Sequence, residues 1–134
     1  MMEAVIPPRV LLFNLPRDDR TEQLEAYLLC RNIAVRHVRP LEFRQQLGHL
    51  LDLPGYPDSG CYFWPTFSDE MAVMAGFDAQ QLNAFLDFFR QAGLQRIEYK
   101  AMLTPVNVNW DAFTLHSHLQ AERASLEAAR KKKR

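Results

Sequence analysis

The side chains able to do chemistry in this chain are few and dispersed. His116 and His118 sit two apart in a segment with helical character. At about 100° per residue they point to different faces of a helix and cannot chelate one metal there. His37 and His49 read as surface residues. Acid pairs such as Asp18-Asp19 and Asp69-Glu70 fall at caps or in loops, with no basic or histidine partner implied. Cys30 and Cys61 share no CxxC spacing and read as isolated thiols. No phosphate loop, GxGxxG, HExxH or GxSxG occurs. No catalytic residue, metal ligand or cofactor is therefore assigned. The remaining polar candidates are neutral: Asn14, Thr104, Asn107 and Asn109, with Gly76 and Trp110 beside them. Asparagine offers both a donor and an acceptor, so such a set could read a neutral polar ligand.

Those residues matter only if the fold brings them together. Arg9–Leu15 (RVLLFNL) and Met71–Phe77 (MAVMAGF) are apolar without alternation, as strands covered on both faces are. Ile33–Arg39 and Ile97–Leu103 are half-polar and suit sheet edges. Between them, a helix is expected from about Thr21 to Arg31, with Asp19 and Glu22 spaced as a capping box. Phe43, Leu47, Leu50 and Leu51 predict a short second helix after Pro40. Leu82, Phe85, Leu86 and Phe89 predict a third, capped by Asp78 and ended at Gly93. A last helix, fraying toward its end, starts near Trp110.

Strand and helix alternate four times, which implies an α/β sheet, mainly parallel, in the order 2-1-3-4 with helices on both faces. The alternative is a ferredoxin-like α+β fold with an inserted helix. In the first arrangement ligands bind beyond the carboxyl ends of the strands where the order reverses. Asn14, Gly76 and Thr104–Trp110 would then meet on one rim. As single residues, Asn14 and Asn109 are also ordinary turn and capping residues, and Gly76 could simply ease packing.

The 134 residues fit one domain, with residues 1–8 as an extension, 9–129 as the folded unit and 130–134 as a basic tail. Sixteen Lys+Arg balance sixteen Asp+Glu, so no global charge excess points to nucleic acid. The tail reads as a solvated helix end; weak, salt-sensitive contact with RNA or an anionic surface is the alternative. Residues 54–68 hold Tyr56, Tyr62, Phe63, Trp64 and Phe67, which either pack on the core or offer a contact surface; Cys61–Trp64 could add a short edge strand. An acid at position 3 and the Pro7-Pro8 pair do not make a secretory leader, so a cytoplasmic protein is expected. No apolar run reaches the ~20 residues of a membrane span.

The strand VLLFNLP, the segment Leu47–Leu51 (LGHLL), the run Glu70–Phe77 and above all Lys100–Trp110 (KAMLTPVNVNW) resemble the small bacterial domains known as domain of unknown function 3783. The resemblance spans about Arg9 to Leu119, implies a cytoplasmic bacterial protein, and emphasises the Thr104–Trp110 turn. It brings no catalytic residues. The expected role is a non-enzymatic binding or regulatory module for a protein partner or small polar ligand, with a homodimer as a further arrangement. The alternative is a metabolite-binding enzyme subunit using the Asn14, Gly76 and Thr104–Trp110 rim.

Overall fold

The computed structural model describes residues 6–61 and 66–132. Four strands, β1 (Arg9–Phe13), β2 (Ala34–Val38), β3 (Met71–Ala75) and β4 (Tyr99–Met102), form one sheet in the order β2-β1-β3-β4. The order matches the reading of apolar strands as central and half-polar strands as edges. Helices α1 (Asp19–Cys30) and α3 (Ala79–Gln91) cover one face; α2 (Leu47–Leu50) and α4 (Ala112–Lys132) cover the other. Alternate residues of the central strands therefore feed two cores. Val10, Leu12, Ala72 and Met74 pack with Leu24, Leu28, Phe85 and Phe89. Leu11, Phe13, Met71 and Val73 pack with Phe43, Leu47, Leu50 and Leu115.

One expectation about direction is overturned. β1–β2 and β3–β4 are parallel, but the central pair β1–β3 is antiparallel, with Leu11 opposite Val73. A parallel third strand would have required the chain to travel the length of the sheet after β2, about 17 Å at ~3.3 Å per residue. In that connection α2 is four residues long, about 6 Å at 1.5 Å per residue. The chain instead turns over the sheet face and starts β3 at the end where β2 stopped.

The result is two βαβ units, Arg9–Val38 and Met71–Met102, joined along an antiparallel seam. Their construction matches closely. Each first strand ends in a left-handed residue, Asn14 (φ 65°) or Gly76 (φ 73°). Each helix starts at an aspartate, Asp18 or Asp78, whose carboxylate accepts the N–H of the residue three further on. Asp18, one residue before the expected Asp19, is thus the first cap. Each helix ends with a left-handed Asn32 or Gly93, followed by an N–H that reaches back to the carbonyl of Leu28 or Phe89 (2.9 and 2.8 Å).

Other elements differ at their bounds. Pro40 opens a 3-10 turn (Pro40–Glu42) rather than a continuous helix, because Gln46 is extended (ψ 146°) and restarts the chain at Leu47. Its apolar stripe is buried regardless. α4 stays helical through Lys132, across the expected start of the tail at residue 130. Of the aromatic loop, Phe67 stacks between Phe43 and His116, and the Tyr56 ring lies against Gly48. Tyr62, Phe63 and Trp64, with the expected extra strand, lie outside the described residues. Among the described residues no helix is long and apolar enough to cross a membrane.

Candidate functional site

The antiparallel seam splits the predicted rim. Asn14 leaves β1 beside Met71, whereas Gly76 leaves β3 beside Arg9, at the opposite end of the central strands. The side chain of Asn14 donates to the carbonyls of Phe67 and Asp69, tying the end of the long loop to β1. Gly76 is closed in by the N-terminal segment: a Cβ there would clash with the carbonyl oxygen of Ile6. Thr104–Trp110 follows β4, parallel to β3, and so shares the Gly76 end. Its polar groups serve one another. The Thr104 N–H donates to Asn107 Oδ1, the Asn107 N–H donates to Thr104 Oγ1, and Asn107 Nδ2 donates to the Met102 carbonyl. Asn109 Nδ2 donates to Pro105 and Val106 carbonyls, and the Trp110 ring stacks on His118 at 4.1 Å. These bonds close a 3-10 turn (Asn107–Asn109) against α2, where the Leu47 N–H donates to Trp110.

A different group of residues lines a separate cleft. It holds about 660 Å³ and lies where β3 and β4 begin. Ser68, Asp69 and Glu70 come from the approach to β3, and Arg123 from α4. Gln95–Glu98 come from the connection between α3 and β4, and Lys100 from β4 itself. Strand alternation sends Tyr99 into the α4-side core and Lys100 to the α3 side, next to Ala72 in register. A second cavity of about 330 Å³, bounded by Leu86, Asp87, Phe89 and Arg90, shares Arg96 and Lys100 with the first.

The charges in this cleft are unevenly matched. Each acid has a cationic or imidazole partner. Asp69 Oδ2 is 2.8 Å from His116 Nε2, and the buried imidazole stacks on Phe67. Glu70 is held by Arg20, which also donates to the Gln95 carbonyl and so ties α1 to the cleft floor. Glu98 meets Arg123, whose guanidinium lies over the Tyr99 ring, and Asp87 meets Arg90. The expectation that Asp69 and Glu70 lack basic or histidine partners is thus corrected. Their partners lie 47 and 50 positions away in the chain, on α4 and α1, where no local spacing reveals them.

Two cations are left over. Among the described residues, neither Arg96 nor Lys100 has a carboxylate within ion-pair distance. The Lys100 ammonium donates to the Ile97 carbonyl at 2.8 Å. Burial, followed by the nearby charges of Arg96 and Arg123, pushes its pKa below the usual lysine value. The cleft therefore offers an anion a partly desolvated ammonium with a guanidinium beside it, where a charge-assisted hydrogen bond is stronger than in open water. Sequence reading passed over this cluster because Lys100 looked like one polar position of an alternating edge strand.

Residues 70–126, from the start of β3 into α4, match the model of a family described as Domain of unknown function (DUF3783). This part of the chain is similar to that family. The matched region contains the whole second βαβ unit, the Thr104–Trp110 turn and most of the cleft wall. β1 and the LGHLL segment lie outside it, so the match is narrower than the sequence resemblance. Neither the curated proteins nor the solved structures searched contain a match to the chain.

Proposed function

We propose that this chain is a small binding module, suited to a regulatory role, whose cleft takes a small anion bearing a carboxylate or phosphate. The observation that carries this reading is the pairing pattern: every acid of the cleft has a partner, while among the described residues Arg96 and Lys100 have no carboxylate within ion-pair distance. A bound anion supplies the missing countercharge and accepts the N–H groups that the two side chains present. Two exposed free thiols, Cys30 and Cys61, suit a reducing compartment, and the cytoplasm is the location we assign.

Titration of the full chain with inorganic phosphate and with small carboxylates, followed by NMR, tests the reading. Shifts are expected to concentrate at residues 95–100 and Arg123, to weaken with added salt, and to fall at least tenfold in apparent affinity in an Arg96→Met, Lys100→Met double variant. Shifts confined to the basic end of α4, or unchanged in that variant, would overturn it.

A further inference from the structure

Resting on that reading, we propose that Lys100 is a covalent attachment point: the anion it meets carries an aldehyde or ketone carbonyl, which its Nζ captures as an iminium.

The first support is the distribution of cations. The chain has twelve arginines, but its lysines are only Lys100 and the run Lys131–Lys133 at the end of α4. Throughout both βαβ units and their connections, each permanent positive charge except that of Lys100 is a guanidinium. Arginine keeps its charge and makes the better fork for a carboxylate or phosphate, whereas a lysine amine can lose its proton and act as a nucleophile. A cleft needing only positive charge has Arg96 and Arg123 already. Within residues 9–129 the one lysine is Lys100, and it lines the cleft together with both.

The second support is placement. Lys100 is half-buried on the cleft wall, and its nitrogen is fixed by the Ile97 carbonyl. Desolvation and two neighbouring guanidinium groups favour the neutral amine, as in lysines activated for carbonyl chemistry. The two cavities meet at Arg96 and Lys100. An anionic group seated on Arg96 thus leaves the rest of a small ligand within reach of Nζ.

The step balances without an oxidant or reductant. The neutral Nζ attacks the carbonyl carbon, the π pair moves to oxygen, and a proton passes from the now cationic nitrogen to that oxygen to give a neutral carbinolamine. Protonation of the hydroxyl then lets the nitrogen lone pair expel water. The net change is amine plus carbonyl plus one proton to iminium plus water.

Borohydride trapping on the full chain tests this. The protein is incubated with glyoxylate or pyruvate and sodium cyanoborohydride, and modified lysines are located by peptide mass mapping. Lys100 is expected to be modified at least tenfold faster than Lys131–Lys133 and the N-terminal amine. Acetone, a neutral ketone, is expected to label it at least tenfold more slowly than pyruvate. Lys100→Arg is expected to abolish labelling of this peptide. Labelling spread evenly over all amines, or equal labelling by acetone, overturns the proposal. Phosphate-induced shifts without an adduct at Lys100 overturn it and leave anion binding standing; loss of both removes both.

Discussion

The two βαβ units share a plan and part ways at one edge. In the first, the connection from α1 to β2 is residues 31–33, and Val35 pairs in register with Val10. In the second, the connection from α3 to β4 is residues 92–98, and Lys100 pairs with Ala72. The longer connection supplies Gln95, Arg96, Ile97 and Glu98 to the cleft. Where the edge strand of the first unit has Val35, that of the second has Lys100 on the wall of the charged cleft. Caps, left-handed ends and core positions are common to both, so they belong to the scaffold. The added residues and the exchange of valine for lysine carry the chemistry.

This comparison is broken most sharply at the two left-handed residues that end β1 and β3. Gly76→Ala forces a Cβ against the Ile6 carbonyl at an unfavourable φ and is expected to cost about 2–4 kcal/mol in chemical denaturation. Asn14→Gly keeps φ accessible but loses two hydrogen bonds, and about 1–2 kcal/mol is expected. Next in size, Asp78→Ala removes the α3 cap and should cost about 1 kcal/mol, and Asp18→Ala should act in the same direction on α1.

Lysine at position 100 sharpens the difference between the units. Its folded pKa lies below its unfolded value, so the charged form is the disfavoured one in the folded chain. Stability then falls as pH drops through the folded pKa and is restored as pH rises past the usual lysine value near 10.5. Lys100→Val, which copies Val35, is expected to raise the midpoint of thermal unfolding at neutral pH, with the gain shrinking above about pH 10. A lower midpoint at neutral pH would show that the ammonium is well accommodated without a ligand. The smallest effect is expected on the α2 side. Burial opposes ionisation of Glu42, but the Arg39 N–H and the Arg36 guanidinium outweigh it and hold its pKa below the usual value. That contribution is present above about pH 4.5 and lost as pH falls through the lowered pKa, so Glu42→Gln should flatten the acid limb of the stability curve slightly.

Hydrophobic pattern disclosed the strand order, because continuous apolar runs must be covered twice and half-polar ones must not. It also located α3, whose stripe, cap and terminal glycine all agree. Direction was illegible: Val10–Phe13 and Met71–Ala75 would be equally apolar whichever way the second runs. The cleft was hidden for a related reason. Lys100 differs from other edge-strand cations only through Arg96, Arg123 and a shortage of free carboxylates, and that shortage arises from Arg20 and His116, which come from distant helices. Asn107 and Thr104 stood out because their types are distinctive, yet each fills the other's hydrogen-bonding capacity.

The seam between β1 and β3 has a consequence for assembly. It is symmetric about Leu11 and Val73 and joins one strand from each unit. Its backbone bonds would form equally well if the two strands came from different molecules. Closure within one chain is therefore governed by effective concentration, set by the tether of residues 39–70. Shortening that tether would favour reciprocal exchange of halves between two copies, a dimer with every seam bond retained.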